Sequence, residues 1–456
     1  MRARDLLIDI TPLRDSRDFR AIFIARVVSL FGLGMAAVAL AGQVYETWST
    51  FHVATVSIVM SVTVLLGSLW GGWMADRMDK RTLIVCARGA AALAFAGLAV
   101  NAFLPEPSLW VLYLCVAWDG LATGVSVTAL MAVAPTLVRP DQLPAAGALI
   151  SLTGEIGSIT APLLGGVLLG LTGPGAVFAF AAFTTAVTSL LITRVRPLPP
   201  VKDEDDDTED SGSVLVAFRY AARSRVVGGL LLLGGVMAVF SLPVVLFPEM
   251  VDKQLGADAG NFEFMLGVLY TAPAVGAVAV SATSGWLNRA ARPGRLLLAA
   301  AFVGGSSAIG FGFSGHLALA FVMLAIGGAA GTVYEILEYA LVQHNTPDRL
   351  RGRMVSVITA QGTSGGMVGD AEAAAVARWT STGGAAVING AICAGAALLI
   401  ALLVPGLRKA TLPYDDEDED GGASAGGPPS DTEPALADPG SVPGTPGATA
   451  APAATG

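Results

Sequence analysis

Long apolar blocks alternate with short polar segments along most of the chain. A helix needs about 20 mostly apolar residues to cross a hydrocarbon core about 30 Å thick, and the blocks have that length. They are continuous, whereas the strands of a transmembrane barrel would alternate apolar and polar positions. The pattern predicts an all-α membrane protein with twelve spans. The predicted spans are 20–44, 54–75, 82–103, 109–132, 144–170, 176–194, 226–247, 263–287, 295–313, 317–342, 354–377 and 384–405.

The predicted spans fall into two groups of six. We divide the chain into a cytoplasmic N-terminal segment 1–19, a six-helix bundle 20–194, an acidic linker 195–225, a second six-helix bundle 226–405 and a tail 406–456. The linker is predicted to be a disordered acidic loop followed by an amphipathic helix at the membrane interface. The tail is rich in acids and then in Gly, Pro and Ala, so it cannot bury a core and is predicted to be disordered. Two groups of six joined by a long connector are typical of parallel halves related by an axis along the membrane normal.

Composition excludes a soluble protein of this length. Hydrophobic residues make up 54% of the chain and charged residues 14%, and 55 residues are glycine. Abundant glycine suits spans that pack closely, because lipid gives helices no hydrophobic drive to associate. The three cysteines lie in apolar blocks without metal-ligand spacing, so we interpret them as small buried hydrophobes. The net charge of −9 comes largely from acids in Asp203–Asp210 and Asp415–Asp420, outside the spans, and therefore says little about a substrate.

Basic residues predict the orientation. They concentrate in the N-terminal segment, in every second loop and after the last span, while the intervening loops hold almost none apart from Lys253 and Arg378. Because Lys and Arg stay on the cytoplasmic side, both termini are predicted to be cytoplasmic, which requires an even number of spans. The N-terminal segment lacks the apolar core and cleavage site of a signal peptide, so the first span is expected to remain as an uncleaved anchor. The expected location is the inner (cytoplasmic) membrane.

A short loop after the second span carries a recognisable signature. The segment GWMADRMDKR resembles the loop motif of the major facilitator superfamily, with Gly72, Asp76, Arg77 and Arg81 at matching positions and Asp79 where a second Gly is usual. Asp76 at a span end can accept hydrogen bonds from backbone N–H groups at a helix N-terminus of the opposite half. Such a latch would stabilise one of two rocking states. The alternative is ordinary positive charge in a cytoplasmic loop.

The fifth span contains a second motif. GSITAPLLGG resembles the Gly-rich, Pro-containing signature of exporters and antiporters in this superfamily, with Ala161 where a Gly is usual. Pro162 removes a backbone donor, and Gly157, Gly165 and Gly166 permit close packing and a local bend. The alternative is a small-residue helix interface with no bearing on the direction of transport.

A longer series of segments is similar to the family of bacterial enterobactin exporters. FRAIFIARVVS, NAFLPEPSLWVLYL, AWDGL, VTALMA, AGALISL and APLLGG occur in that order, followed by SRVVGG, YTAPAVGA, SGWL, ARPGRLLL and HNTPDRLRGRM. The resemblance covers nearly all of residues 5–408. It implies proton-driven export of a catecholate siderophore or a similar large polar product. Hydrophobic drugs or macrolides are alternative substrates. A receptor that binds without transporting is the other class, but such a protein would usually carry a folded signalling domain.

Ionisable residues inside apolar blocks are costly in a bilayer, so each is a functional candidate. Arg26, Asp119 and Glu155 lie in predicted spans one, four and five and are predicted to form one buried cluster. In this cluster Arg26 would hold one carboxylate ionised and leave the other free to titrate. Asp119 is the first choice for proton coupling, because AWDGL carries it within the resemblance, and Glu155 is the second. Structural ion pairing is the alternative.

The second half offers further carboxylates. Glu335 and Glu338 on span ten share a face and are expected either to pair with loop bases or to contact substrate. Asp370 and Glu372 point to different faces of span eleven, so at most one can face a cavity. Aromatic side chains can stack on an aromatic substrate. The candidates are Trp70, Trp73, Trp118, Tyr270, Tyr334 and Tyr339, although Trp73 and Trp286 are better interpreted as residues of the aromatic belt at the membrane interface.

Other chemistry is not indicated by the sequence. No Gly-Lys-Ser/Thr phosphate loop occurs in it, so ATP is not the predicted energy source. With three histidines and no nucleophile–His–acid pattern, an enzyme is not expected. We expect no cofactor, no metal site and no nucleic-acid partner. The expected partners are a small-molecule substrate, protons and the lipid bilayer, with the protein as a monomer.

Overall fold

The computed structural model describes residues 11–133, 137–139, 142–197, 214–241, 244–258, 260–283, 287, 290 and 292–410. Regular secondary structure in these ranges is helical, which confirms the predicted all-α fold. A 3-10 turn, Val244–Leu246, precedes α10. The helices are α1 Thr11–Asp15, α2 Arg17–Thr47, α3 Thr50–Ala75, α4 Lys80–Phe103, α5 Leu109–Val133, α6 Leu143–Thr172, α7 Pro174–Ile192, α8 Val214–Arg223, α9 Arg225–Phe240, α10 Phe247–Lys253, α11 Phe262–Thr283, α12 Pro293–Gly312, α13 Leu317–His344, α14 Asp348–Trp379, α15 Thr382–Leu403 and α16 Pro405–Arg408.

Polar residues between the apolar blocks fix where helices begin. Ser16, Asp79, Ser224 and Ser381 each accept a hydrogen bond from a backbone N–H in the first turn of the helix that follows. These bonds satisfy donors that a helix start otherwise leaves without partners. Between α6 and α7 the chain turns at Gly173, whose φ of 77° lies in the left-handed region that favours glycine.

The number of spans agrees with the sequence only in part. In the described ranges, eleven segments are long and apolar enough to cross a membrane. One of them, Arg225–Lys253, combines α9, the 3-10 turn and α10. The predicted span 354–377 lies in α14, which is long enough but does not qualify, because it carries polar residues such as Gln361, Asp370 and Glu372. The count of twelve therefore stays a prediction.

The helices pack in two sets. In the first helix set, α2–α7, α2 packs on α6 and α7, α3 on α5, and α4 on α5 and α7. In the second helix set, α9–α15, α9 packs on α14 and α15, α11 on α13, and α12 on α13 and α15. The two sets meet mainly along α6–α11 and α3–α14.

Parts of the predicted domain division lie outside the described residues. Residues 1–10, 198–213 and 411–456 are among these, so the disorder expected for the linker and tail stays a prediction. Within the linker, α8 occupies the place of the predicted amphipathic helix. The Tyr220 hydroxyl at its end donates to the Asn345 carbonyl oxygen at 2.7 Å, which ties α8 to the end of α13.

The apolar core distinguishes the two ends of the bundle. We call the end where α2 ends and α3 begins the closed end, and the end where α3 ends and α4 begins the open end. At the closed end one core contains buried residues of both helix sets, such as Val44 and Phe247. Towards the open end each set has a core of its own, with Phe19 in the first set and Leu297 in the second. The two sets therefore share their packing at one end and separate at the other.

Glycines allow α11 and α13 to cross at very short range. A Cβ atom added at Gly276 would lie 1.8 Å from the carbonyl oxygen of Ala325, and one at Gly328 would lie 2.0 Å from the carbonyl oxygen of Pro273. No real side chain fits either position without moving a backbone. This close contact is the packing that small residues permit between helices in a membrane.

Candidate functional site

Hydrogen bonds join the two helix sets across the closed end. In each of three of them, a hydroxyl of α2 or α3 donates to a carboxylate of the second set. The pairs are Tyr45 with Asp252 at 2.6 Å, Thr50 with Glu249 at 2.5 Å, and Ser57 with Asp370. The donors thus all lie on one set and the acceptors on the other. We call these three bonds the closed-end bonds.

Glu249 of α10 is the most buried of the three carboxylates that accept the closed-end bonds. Its side chain also lies 2.5 Å from the ammonium of Lys253, and only 9% of the residue is exposed. A nearly buried carboxylate must keep its hydrogen-bond partners, because an unpaired buried charge is costly. The Thr50 hydroxyl is therefore a partner that Glu249 loses when the sets separate at this end.

The two carboxylates predicted on span eleven accept hydrogen bonds from different helices. Asp370 accepts from Ser57 of the first helix set, whereas Glu372 accepts from Asn389 of α15 at 3.0 Å. The side chains therefore point to different faces, as expected. The Asp370 carboxylate lies in the contact between α14 and α3.

The exporter-type motif of α6 lies against both α2 and α11. A Cβ atom added at Gly157 would meet Leu30 of α2 at 3.2 Å, and one added at Gly165 would meet the Met35 backbone at 2.7 Å. These two glycines hold α6 close to α2 within the first helix set.

Another face of the same motif touches the second helix set. A Cβ atom at Gly166 would lie 2.4 Å from the carbonyl oxygen of Glu263, and one at Gly267 would lie 2.8 Å from the carbonyl oxygen of Pro162. The Thr271 hydroxyl of α11 also donates to the carbonyl oxygen of Ile159 at 3.1 Å. The motif therefore forms a close backbone contact between the sets along α6 and α11.

A cavity of about 750 Å³ lies mostly within the second helix set and reaches α6 at Ser158. Glu335 and Glu338 both line it, together with Tyr334 and Tyr339. Among the described residues that line this cavity there is no Lys, Arg or His. The pairing with loop bases that the sequence left open for these carboxylates is not seen in the described structure.

The charged residues of the first helix set include one that the sequence analysis missed. Arg88 on α4 donates from Nε to the Ser126 hydroxyl of α5 at 3.0 Å and from Nη1 to the Ser29 hydroxyl of α2. It is close enough to Asp119 and Arg26 for the charges to interact. The rule that selected Arg26 would also have selected Arg88, because it lies in the apolar block 82–103.

Asp119 has an unusual environment. The residue is 5% exposed, and its Oδ1 atom is buried without a hydrogen-bond partner in the described part of the chain. Arg26 likewise has a buried Nε without a partner there, and it makes no ion pair with Asp119 or Glu155 among the described residues. Glu155 is partly buried and also lacks a partner for its carboxylate within the described ranges. The structure thus places Arg88, rather than an ion pair with Arg26, beside Asp119.

The contacts that the described residues show for the predicted latch lie within its own helix set. Asp76 is exposed and bonds to no described residue of the second set. Arg77 donates to the Trp73 carbonyl oxygen at 3.2 Å and lies 4.3 Å from the centre of the Trp73 ring. Arg81 donates to a carbonyl oxygen at the end of α7, and Gly72 faces α5. A latch between halves is therefore not seen among the residues that the structure describes, and its role stays a prediction.

Replacing Thr50 with Val removes one closed-end bond without changing side-chain shape. A hydrogen bond to a charged acceptor contributes about 1.5–3 kcal/mol, so the population with the closed end separated should rise about ten-fold or more. Thr172→Val is the matched control, because that hydroxyl bonds only to the Leu168 carbonyl oxygen in its own helix at the same end.

The measurement is a distance distribution between spin labels across the closed end. Labels attached through Thr47→Cys and Asp258→Cys sit on exposed positions of the two sets, with the exposed native Cys86 replaced by Ala. Thr50→Val should add or enlarge a long-distance population that Thr172→Val lacks. Identical distributions in the two variants would show that the closed-end bonds do not control separation.

Comparisons with known proteins extend over most of the chain. The profile of a family described as transmembrane secretion effector matches residues 9–434. The chain is 34% identical over 411 residues to the enterobactin exporter EntS of Citrobacter koseri, which covers 90% of this chain and 97% of the relative. It is 36% identical over 373 residues to the enterobactin exporter EntS of Shigella dysenteriae serotype 1, covering 81% of this chain and 88% of the relative.

Solved structures show the same fold at low sequence identity. The nucleoside transporter NupG matches with a TM-score of 0.68 and 11% identity, over 87% of this chain and 100% of that chain. A bacterial homologue of the human lysosomal transporter Spinster, in an inward-facing and occupied conformation, matches with a TM-score of 0.67 and 14% identity, over 86% and 98% of the two chains.

Proposed function

Because the chain belongs to the transmembrane secretion effector family of the major facilitator superfamily, we propose that it is a proton-driven siderophore exporter. The substrate is a catecholate siderophore of the enterobactin type, moved outward across the cytoplasmic membrane. The similarity to two enterobactin exporters over most of both chains supports this substrate class. The protein is a transporter rather than an enzyme.

The observation that carries transport is the difference between the two ends of the bundle. Both helix sets share one core at the closed end and have separate cores towards the open end, where the cavity of about 750 Å³ lies. In the orientation that the basic loops predict, the open end faces the cytoplasm. This state would load substrate from the cell interior, with both termini in the cytoplasm and one chain as the working unit.

In alternating access, the contacts at the closed end are exchanged for contacts between the two sets at the open end. Rocking the sets about the close contact of Gly166 with Gly267 would break the closed-end bonds and bring the open ends together. The latch residues Asp76, Arg77 and Arg81 would then meet the second helix set. The two states would thus be stabilised by different polar contacts at opposite ends of the bundle.

Proton coupling is assigned to the first helix set. Asp119 is nearly buried, lies near Arg88 and has an oxygen without a partner in the described structure. When its carboxylate gains a proton, the attraction between Asp119 and the Arg88 guanidinium is lost. Such a buried ionisable group in a membrane protein is a functional candidate. Glu155 is the second candidate for the same role.

The test uses everted membrane vesicles that contain the protein. Metal-free enterobactin should accumulate inside them when a proton gradient is imposed, and a protonophore should abolish the accumulation. Vesicles without the protein are the control. A macrolide offered in place of the siderophore tests the drug-efflux alternative. Accumulation of the macrolide but not of enterobactin would replace the proposed substrate class.

A further inference from the structure

We propose that the cavity selects the metal-free siderophore and rejects its ferric complex, and that Glu335 and Glu338 provide this selection. The inference rests on the proposed function, because it concerns which form of a catecholate substrate the cavity accepts. It adds a specificity role for two named side chains.

The wall of the cavity is built around these carboxylates. Glu338 is 7% exposed, and its Oε1 atom accepts from the Tyr334 hydroxyl at 3.0 Å. A Cβ atom at Gly234 of α9 would lie 2.3 Å from that same oxygen and 2.8 Å from Nε2 of Gln361. Gln361 in turn donates to the Leu231 carbonyl oxygen at 2.8 Å. Glycine at 234 therefore leaves the room in which Glu338 and Gln361 reach the cavity side by side.

Carboxylate oxygens of both glutamates remain able to accept hydrogen bonds from a ligand. Glu335, one turn before Glu338, is exposed to the cavity and makes no hydrogen bond with a described residue. The second oxygen of Glu338 is likewise not bonded within the described ranges. An ionised carboxylate only accepts hydrogen bonds, and no cationic side chain lines the described cavity to neutralise the pair. The cavity is thus suited to a ligand that brings hydroxyl donors or positive charge.

The two forms of a catecholate siderophore differ in these respects. The metal-free form is uncharged near neutral pH and presents phenolic hydroxyls, which can donate to Glu335 and Glu338. When ferric iron binds, each catechol releases its protons to solvent and its oxygens coordinate the metal. The complex is an anion, because the phenolate charges outnumber the charge of the iron. It therefore loses the donors and is repelled by the negative charge that this pair of acidic side chains brings to a partly dehydrated cavity.

The cavity selects between the two forms chiefly by repelling the ferric complex. Tyr339, which is exposed where it lines the cavity, can stack on the catechol rings of either form and would not tell the two apart. The carboxylates respond to the charge and to the donors, which change together when the metal binds. The glutamates are thus the cavity residues that distinguish the two forms.

The experiment measures affinity with the full-length protein in lipid nanodiscs. The ligands are metal-free enterobactin and its gallium(III) complex, which has the charge of the ferric form without its redox chemistry or quenching. The wild-type protein should bind the metal-free form at least ten-fold more tightly. In the variant carrying Glu335→Gln and Glu338→Gln this ratio should fall at least five-fold, mainly through tighter binding of the gallium complex.

The controls separate the possible outcomes. Gln at 338 still accepts from Tyr334, so the double variant should keep its gel-filtration profile. Glu335→Gln alone, at an exposed position, should lower the ratio in the same direction. Glu106→Gln removes an equal charge in an exposed loop away from the cavity and should leave the ratio unchanged. Equal binding of both forms by the wild type, or an unchanged ratio in the glutamine variants, overturns the inference. Binding of neither form overturns the proposed function itself.

Discussion

Vesicles that contain the Asp119→Asn variant are expected to show no gradient-driven accumulation of siderophore above vesicles without protein. Asparagine has nearly the shape of aspartate but cannot take up and release a proton. Asp119 is 5% exposed, has a buried oxygen without a partner in the described structure and lies near Arg88. The substitution therefore keeps this position permanently uncharged, as in the protonated form of Asp119.

The same variant should retain exchange of substrate without a gradient. Loading vesicles with unlabelled siderophore and following entry of labelled siderophore measures rocking and binding without proton coupling. Loss of gradient-driven accumulation with retained exchange assigns coupling to Asp119. The matched control is Asp258→Asn, the same substitution at an exposed position between α10 and α11, which should transport normally. Normal accumulation by Asp119→Asn would remove this residue from the mechanism and leave Glu155 as the candidate.

Replacing Gly276 with Leu should prevent recovery of folded protein. The new Cβ atom alone would lie 1.8 Å from the carbonyl oxygen of Ala325, so α11 and α13 must move apart along the crossing they share. Overpacking by a few methylenes costs about 1–3 kcal/mol where side chains can adjust, and the obstacle here is backbone, so a larger cost is expected. Yield of monodisperse protein in detergent and its melting temperature measure the effect.

A glycine elsewhere provides the comparison. A Cβ atom at Gly395 of α15 meets nothing within 4 Å, and the position is exposed on the surface of the bundle. Gly395→Leu should therefore give folded protein with a melting temperature close to that of the wild type. Equal yields and melting temperatures for the two leucine variants would show that the α11–α13 crossing tolerates separation.

Hydropathy predicted most helices but not where one of them is interrupted. The predicted span 109–132 corresponds closely to α5, Leu109–Val133. The predicted span 226–247 instead corresponds to α9, which ends at Phe240, and to the 3-10 turn that follows before α10 begins at Phe247. Apolar residues continue through this interruption, so a pattern that reports only hydrophobicity cannot detect the change in backbone.

Parts of the candidate site could be predicted from the sequence where a motif lies within one continuous segment. The exporter-type motif marked Gly166 as a position for close packing, and the structure shows which helix it meets, α11 at Gly267. The closed-end bonds gave no such signal, because Tyr45 and Asp252 are 207 residues apart and a hydroxyl in an apolar block barely changes hydropathy. Only the folded arrangement shows which hydroxyl faces which carboxylate.

Helix α14 has a consequence for biogenesis. Three of its polar side chains each bond to a different neighbour: Gln361 to α9, Asp370 to Ser57 of α3 and Glu372 to Asn389 of α15. The last of these neighbours follows α14 in the chain and therefore emerges from the ribosome after it. A helix this polar gains little from entering lipid alone, so it should wait at the translocon, shielded by an insertase or by earlier helices, until α15 emerges. Completion of this transporter would therefore depend on the final helices entering the bilayer as a group.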